Sequence, residues 1–425
     1  MSEVRAVAGV PHHFVAAIGA GPANLSLAAL GERQVPGGVA VFDKQPRPGW
    51  HPGLLVQGAR LQTSWIKDLV TLVDPCSRFS FLNYLVSTGR IYSFLNAQWT
   101  SVPRQEFARY LAWAAERLDT VHYGSEITEV GFDERFVLRG ADRVIATCDH
   151  LVFGLGTRPN IPPCFQPELP GVVLAEDLMQ RDFSSKLPSQ QVIVVGGGQT
   201  GAEAVLSLAH QGVRDIRWLG RRHWFAPLDD SPPANDFYRP AYLRFFYDLP
   251  EHVRRAYVAQ QVLTSDGVSN ETLQEIYRFN YEASLTEGRP PIMLLPGRDV
   301  IRAHARGGLV SLWCRRNSGG NERHSAPLVV LATGRTPTPL PLAPELREQL
   351  ELDGAAEPLV EQDYSVRWKH GAEHRLFVQN RSIFTHGLAD PNLSLLAVRS
   401  AVILNSLLQR TVFEVRDEFV QTMWG

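Results

Sequence analysis

Two glycine-rich turns carry the first chemical signal. Gly19-Ala20-Gly21-Pro22-Ala23-Asn24 follows the apolar run Phe14-Val15-Ala16-Ala17-Ile18 and opens a Leu/Ala-rich stretch. Gly196-Gly197-Gly198-Gln199-Thr200-Gly201 follows Gln191-Val192-Ile193-Val194-Val195 and opens another. In a strand-turn-helix unit the first glycine permits a tight turn and the second lets a pyrophosphate approach the backbone. The helix start then offers free N–H groups and the positive end of its dipole. Gly19, Gly21, Pro22 and Asn24 therefore form one candidate nucleotide cradle, and Gly196, Gly198, Gln199, Thr200 and Gly201 a second. Pro22 suits a first helical turn, where its absent N–H has no task.

The residues beyond each turn distinguish the two. Val39-Ala40-Val41-Phe42 ends in Asp43-Lys44, about 24 residues past Gly19, where a carboxylate accepts hydrogen bonds from ribose hydroxyls. Ile216-Arg217-Trp218-Leu219-Gly220 ends instead in Arg221-Arg222, and two planar guanidinium forks favour a 2′-phosphate. An acidic selector first and an arginine pair second predict FAD and then NADPH. Hydride passing from one to the other makes the chain a flavin-dependent oxidoreductase.

The elements that must position these groups read as an α/β protein with two Rossmann-like dinucleotide-binding domains and a small, mostly helical substrate region. The boundaries that the family resemblance given below implies are an FAD domain over 1–165, resumed over 336–425, and an NADPH domain over 166–228, resumed over 290–335. The helical region spans 229–289, where aromatic and charged segments lie between Pro232-Pro233 and Pro290-Pro291. The loop after the second strand, Pro46 to Gly53, and the stretch Leu61 to Val70 lie beyond the carboxyl ends of a sheet, where a cofactor's reactive end sits. Trp50, His51, Gln62 and Lys67 are site candidates on that ground. Phe79 to Leu85 and Arg104 to Leu118 read as supporting helices. A carboxy-terminal helix to about Leu408 carries Asn392 and Ser394 at its amino end, placed either to meet a flavin's pyrimidine edge or, for Asn392, simply to cap the helix.

Composition narrows the class. A chain of 425 residues with 44% hydrophobic and 20% charged residues has material for two or three cores. A formal net charge of -2 argues against a nucleic-acid binder. Cys76, Cys148, Cys164 and Cys314 are scattered without a CxxC pair, so no metal site, disulfide framework or redox dithiol is expected, and a cytoplasmic setting fits. No signal-peptide pattern and no apolar run near the roughly 20 residues of a membrane span is present.

Further stretches complete a pattern: Trp50-His51-Pro52-Gly53, Gln62 with Lys67-Asp68-Leu69, Ser80-Phe81-Leu82-Asn83-Tyr84-Leu85, Ala332-Thr333-Gly334, and Thr385-His386-Gly387 with Leu393-Ser394-Leu395. Together with the two glycine turns they resemble, in order and over nearly the whole chain, the microbial N-hydroxylating flavin monooxygenases of siderophore biosynthesis. The resemblance implies that NADPH reduces FAD, that O2 adds to give a C4a-hydroperoxyflavin, and that a neutral side-chain amine attacks its distal oxygen. No catalytic acid or base is implied; Gln62 and Lys67 position the reactants. By the same resemblance Lys44, Trp50, His51, Gln62 and Leu393 join the FAD set, and Lys67, Ser265, Asp266 and Ser394 bind substrate. Lys67 matches the family position whose ammonium meets an amino acid's carboxylate, which favours L-lysine or L-ornithine over putrescine or cadaverine. Thr264-Ser265-Asp266-Gly267 resembles the lysine enzymes where the ornithine enzymes carry an Asn-bearing pattern. Thr200 replaces a commoner Ser, and Arg335 stands where many members have Tyr. A homo-oligomer, as large as a tetramer, is the family expectation.

Replacing Arg221 and Arg222 together by Ala is expected to weaken NADPH far more than NADH, each lost charge-assisted contact being worth roughly 1.5 to 3 kcal/mol. Titration of both nucleotides against the variant measures it; an unchanged preference places 2′-phosphate reading elsewhere.

Overall fold

A computed structural model describes residues 9–56, 58–99, 101–166, 169–178 and 190–424. The first sheet is built from both ends of the chain. Its parallel strands run in the order Val121–His122, Val39–Phe42, His12–Ile18, Val144–Phe153 and Leu376–Val378. Val39–Phe42 and Leu376–Val378 are buried at every position, as continuous apolar runs must be when both faces of a parallel sheet are covered. A hairpin, Glu129–Asp133 with Arg135–Arg139, extends the sheet antiparallel along the early half of Val144–Phe153.

The helix Pro22–Gly31 follows the first turn and packs beside the carboxy-terminal helix Leu396–Leu407. Their contact is partly polar: Ser400 Oγ donates to Ser26 Oγ (2.9 Å), which donates to Leu69 O (2.6 Å). Helix Arg104–Ala115 buries Phe107, Tyr110, Leu111 and Trp113 at helical spacing in the same core.

The second sheet is wholly parallel, ordered Ile292–Pro296, Asp215–Gly220, Gln191–Val195, Leu328–Leu331 and Val172–Leu174. A three-stranded antiparallel sheet, Arg298–Arg306, Leu309–Arg316 and Asn321–Ala326, adjoins it. Between the two nucleotide units the chain crosses through Thr157–Pro159 and returns through Arg335–Pro337, and these segments pair antiparallel. Within the segment read as helical, Pro240–Asp248 and Glu251–Gln261 are helices, as is the long Asn270–Glu287. Asn270–Glu287 packs Leu273, Ile276 and Phe279 into the second sheet's core, and Asn280 pairs with both backbone groups of Ile292 (2.9 and 3.0 Å). Among the described residues no helix is long and apolar enough to cross a membrane.

Gly19 has φ of 97°, and a Cβ there would lie 2.4 Å from the O of Gly154, just past the end of the neighbouring strand. Gly19→Ala is expected to cost roughly 1–3 kcal/mol through backbone strain alone, with the clash in addition. A lowered melting temperature with reduced flavin content in the purified variant is the expected outcome.

Candidate functional site

The two glycine turns are built the same way. Gly196 has φ of 132°, and a Cβ on it would fall 2.0 Å from Ala332 O, just as one on Gly19 would meet Gly154 O. The next glycine of each turn is roomy. A Cβ on Gly21 would meet nothing within 4 Å, and one on Gly198 only Asp266 O at 4.0 Å. Each is the N-cap of its helix, makes no side-chain cap, and has no acidic residue in the following turn. Open space over uncapped N–H groups fits a pyrophosphate in both places.

Around the first cradle, Pro48, Gly49 and Trp50 face Ala20, Pro22 and Tyr123 across a small cavity. Trp50 packs on His51 and on Phe107, at ring-centroid distances of 5.4 and 5.8 Å. Asp43 sits at the end of its strand and accepts from Ala20 N (2.6 Å) and Gln45 N (2.7 Å), which holds the turn and leaves lone pairs for a ribose. Lys44 and Gln62 are exposed. Asn24 differs from the expectation: its side chain is fully buried, turned from the cradle into the protein. Nδ2 donates to Ile18 O (3.0 Å) and Gly19 O (2.8 Å), and Oδ1 accepts from Gln379 Nε2 (2.7 Å).

At the second cradle, Arg221 and Arg222 follow the strand end, and neither forms an ion pair among the described residues. Arg222 donates to Asp266 O (3.3 Å). Gln199 spends its side chain on Glu203, Thr272 and Ser269 N, so it organises the turn from within. Thr200 is half-buried in the helix's first turn. Ser265 and Asp266 lie beside this second turn, Ser265 Oγ donating to Asp266 Oδ1 (2.8 Å). No hydrogen bond or ion pair among the described residues joins them to Lys67.

Lys67 stands on a loop fixed by its neighbour. The buried Asp68 accepts from Val70 N (2.9 Å), Thr71 N (2.7 Å), Thr71 Oγ1 (2.7 Å) and Phe81 N (2.6 Å). Burial still pushes its carboxyl above the ordinary range against those four donors. Trp65 packs on Phe81 and Phe94 and closes the loop's other side. Lys67 is half-buried and has no carboxylate partner among the described residues, and desolvation lowers its pKa. Leu393 and Ser394 lie in the short turn that opens Leu396–Leu407, with Ser394 buried and Asn392 Oδ1 accepting from Ser394 N (2.8 Å). Asn392 is thus an N-cap.

The sequence reading missed Asp68 as an anchor, although it adjoins Lys67, and gave no role to Arg104, Glu203, Gln379 or Arg399. Among the described residues no group of three or more His, Cys, Asp or Glu is placed to hold a metal ion.

Residues 11–336 match the family model described as L-lysine 6-monooxygenase/L-ornithine 5-monooxygenase. The chain is 34% identical to the L-lysine N6-monooxygenase of Escherichia coli, over 94% of this chain and 95% of that protein. The FAD-bound cadaverine monooxygenase of desferrioxamine biosynthesis from Erwinia amylovora has a similar structure, with a TM-score of 0.90 at 26% identity, covering 97% of this chain and 98% of that one. An ornithine N-hydroxylase from Kutzneria sp. 744, in a complex with reduced FAD, NADP+ and L-ornithine, gives 0.85 at 27% identity, covering 94% and 99%.

Asp68→Asn keeps the shape but turns an amide N–H₂ toward backbone donors. It is expected to destabilise the loop by roughly 1–3 kcal/mol. The amine KM is expected to rise while flavin reduction by NADPH stays near wild type; equal loss in both would mean the loop serves the whole fold.

Proposed function

Because the chain belongs to the L-lysine 6-monooxygenase/L-ornithine 5-monooxygenase family, we propose that it is an FAD- and NADPH-dependent enzyme that hydroxylates N6 of L-lysine with O2 to supply a hydroxamate siderophore. The observation that carries the choice of an amino acid over a diamine is Lys67, and the resemblance of Thr264-Ser265-Asp266-Gly267 to the lysine enzymes favours L-lysine over L-ornithine. Lys67 has no carboxylate partner among the described residues, a half-buried ammonium so placed is costly, and an amino acid's carboxylate would supply its counter-ion. A simple diamine brings no such group.

When bound, NADPH supplies hydride and FAD supplies oxygen activation. The protein's share is placement. Gly21 and the N–H groups after it receive the FAD pyrophosphate, Asp43 the ribose, and the Trp50-His51 loop with Leu393 encloses the ring system. Gly198 and the helix after it receive NADPH, with Arg221 and Arg222 on its 2′-phosphate. Lys67 holds the substrate carboxylate, and the resemblance implies Ser394 and the Ser265-Asp266 segment, which lies beside the second glycine turn, as further substrate contacts. Drying the site favours the reaction, since the attacking amine must be neutral. The sheet shared by the chain's two ends supports an FAD domain made of 1–165 and 336–425, with an NADPH domain and a helical roof between its halves.

The test is hydroxylamine formation by purified protein with FAD and NADPH across L-lysine, L-ornithine, putrescine and cadaverine. Product mainly from L-lysine is expected, with Lys67→Ala raising its KM at least tenfold (~1.4 kcal/mol). Product mainly from a diamine, or full activity in Lys67→Ala, overturns the substrate assignment; no product from any amine overturns the activity.

A further inference from the structure

The seam between the two nucleotide units is tied by the Arg104–Glu203 ion pair and by Arg335, whose guanidinium joins Thr157 to Glu176. Arg104 opens the helix Arg104–Ala115 of the first core, and its Nη1 and Nη2 donate to Glu203 Oε2 (3.0 Å) and Oε1 (2.9 Å). These side chains are only 14% and 7% exposed. The same guanidinium donates to Leu54 O (2.9 Å), in the turn that follows His51. Glu203 lies on Gln199–His210, the helix that opens at the second glycine turn. Its Oε1 also accepts from Gln199 Nε2 (2.9 Å), and Gln199 Oε1 in turn accepts from Ser269 N (2.8 Å).

The second tie runs through the crossing strands. Arg335 donates to Thr157 Oγ1 (2.8 Å) and Thr157 O (2.7 Å) and pairs with Glu176 on the helix Ala175–Leu178. That helix packs on Pro52–Leu54. His51 sits among these charges; burial, then Arg335 and Arg104, push its pKa down to about 4, so it brings no third cation at neutral pH.

We propose that Arg104–Glu203, seconded by Arg335–Glu176, is a latch that fixes the angle of the NADPH-bearing unit against the FAD-bearing unit, making Arg104 and Glu203 positioning residues for hydride transfer. A bidentate arginine–carboxylate pair sets orientation as well as distance. Buried pairs of this kind add little net stability over apolar packing, so this one is better explained by the geometry it imposes. Units joined by a two-stranded crossing move relative to one another by default. The reaction itself, transfer of a hydride with its two electrons from nicotinamide to flavin, breaks and makes no bond at either residue. The inference rests on the nicotinamide-to-flavin half of the proposed function and is independent of which amine is hydroxylated.

The experiment compares wild type, Glu203→Gln, Glu176→Gln and the double variant in anaerobic stopped flow without amine. A dye pair on Cys76, the exposed cysteine, and on an introduced Ser318→Cys reports the angle between the units. The expected result is a fall in the limiting rate of flavin reduction, on the order of 10-fold for Glu203→Gln and 100-fold for the double variant. FAD content, reduction by dithionite and the Kd for NADPH stay within about twofold of wild type. The transfer-efficiency distribution broadens in the same order. A limiting rate within about threefold of wild type in the double variant, or a fall that merely follows FAD loss, overturns the latch. If Glu203→Gln does not retain FAD, Glu176→Gln decides by the same two readouts: a slower limiting rate with a broader distribution supports the latch, and wild-type values overturn it. Wild-type protein that NADPH does not reduce would instead refute the cofactor reading.

Discussion

Asn24 holds the two ends of the chain in register. Its buried amide donates to Ile18 O and Gly19 O and accepts from Gln379. Gln379 Oε1 accepts from Arg399 Nε (2.9 Å), and Arg399 pairs with the buried Asp390 (3.0 Å), which accepts from Ser382 N (2.7 Å). A buried polar chain stabilises only when its members find partners, and a single missing link leaves several groups stranded. The shape of the first glycine turn therefore depends on a strand, a loop and a helix more than 350 positions later in the chain. Packing of Leu396–Leu407 against Pro22–Gly31 follows from the same constraint, and so does the placement of Leu393 and Ser394.

The two nucleotide units answer one steric problem with different residues. In the second, Gly201 approaches Gly196 O so closely that a Cβ would lie 2.1 Å from it, the tight contact the third glycine of such a turn makes. In the first, that place belongs to Asn24, and the room comes from the turn after the facing strand: a Cβ on Gly154 would lie 2.6 Å from Asn24 Nδ2. A departure from the glycine pattern is thus matched by a glycine 130 residues away, and the exchange converts a packing contact into hydrogen bonds.

Much of this was legible in the sequence because it is local. Glycines at fixed offsets between an apolar run and a helix, and the residue type at the end of the next strand, state their own chemistry. What stayed hidden is long-range. Nothing in the periodicity of Arg104 to Leu118 says that Arg104 meets Glu203, and Arg335 could be recognised as unusual without showing that it pairs with Glu176. Asn270–Glu287 has the pattern of any amphipathic helix, and only the fold shows that its buried face lies on the second sheet. Lys67 could be picked out by its setting in the sequence, but of the four donors that converge on Asp68 only three, Val70 N, Thr71 N and Thr71 Oγ1, are local, and the fourth, Phe81 N, arrives only when the chain folds back.

In the proposed function a nucleotide over each glycine turn and a carboxylate on Lys67 together place the amine for oxidation. The most direct measurement is a crystal structure of the chain with FAD, NADP+ and L-lysine. The expected result is the FAD pyrophosphate over Gly21, the 2′-phosphate between Arg221 and Arg222, and the lysine carboxylate within hydrogen-bonding distance of Lys67 Nζ. A lysine bound with its carboxylate on another cation, and Lys67 left in solvent, would contradict it.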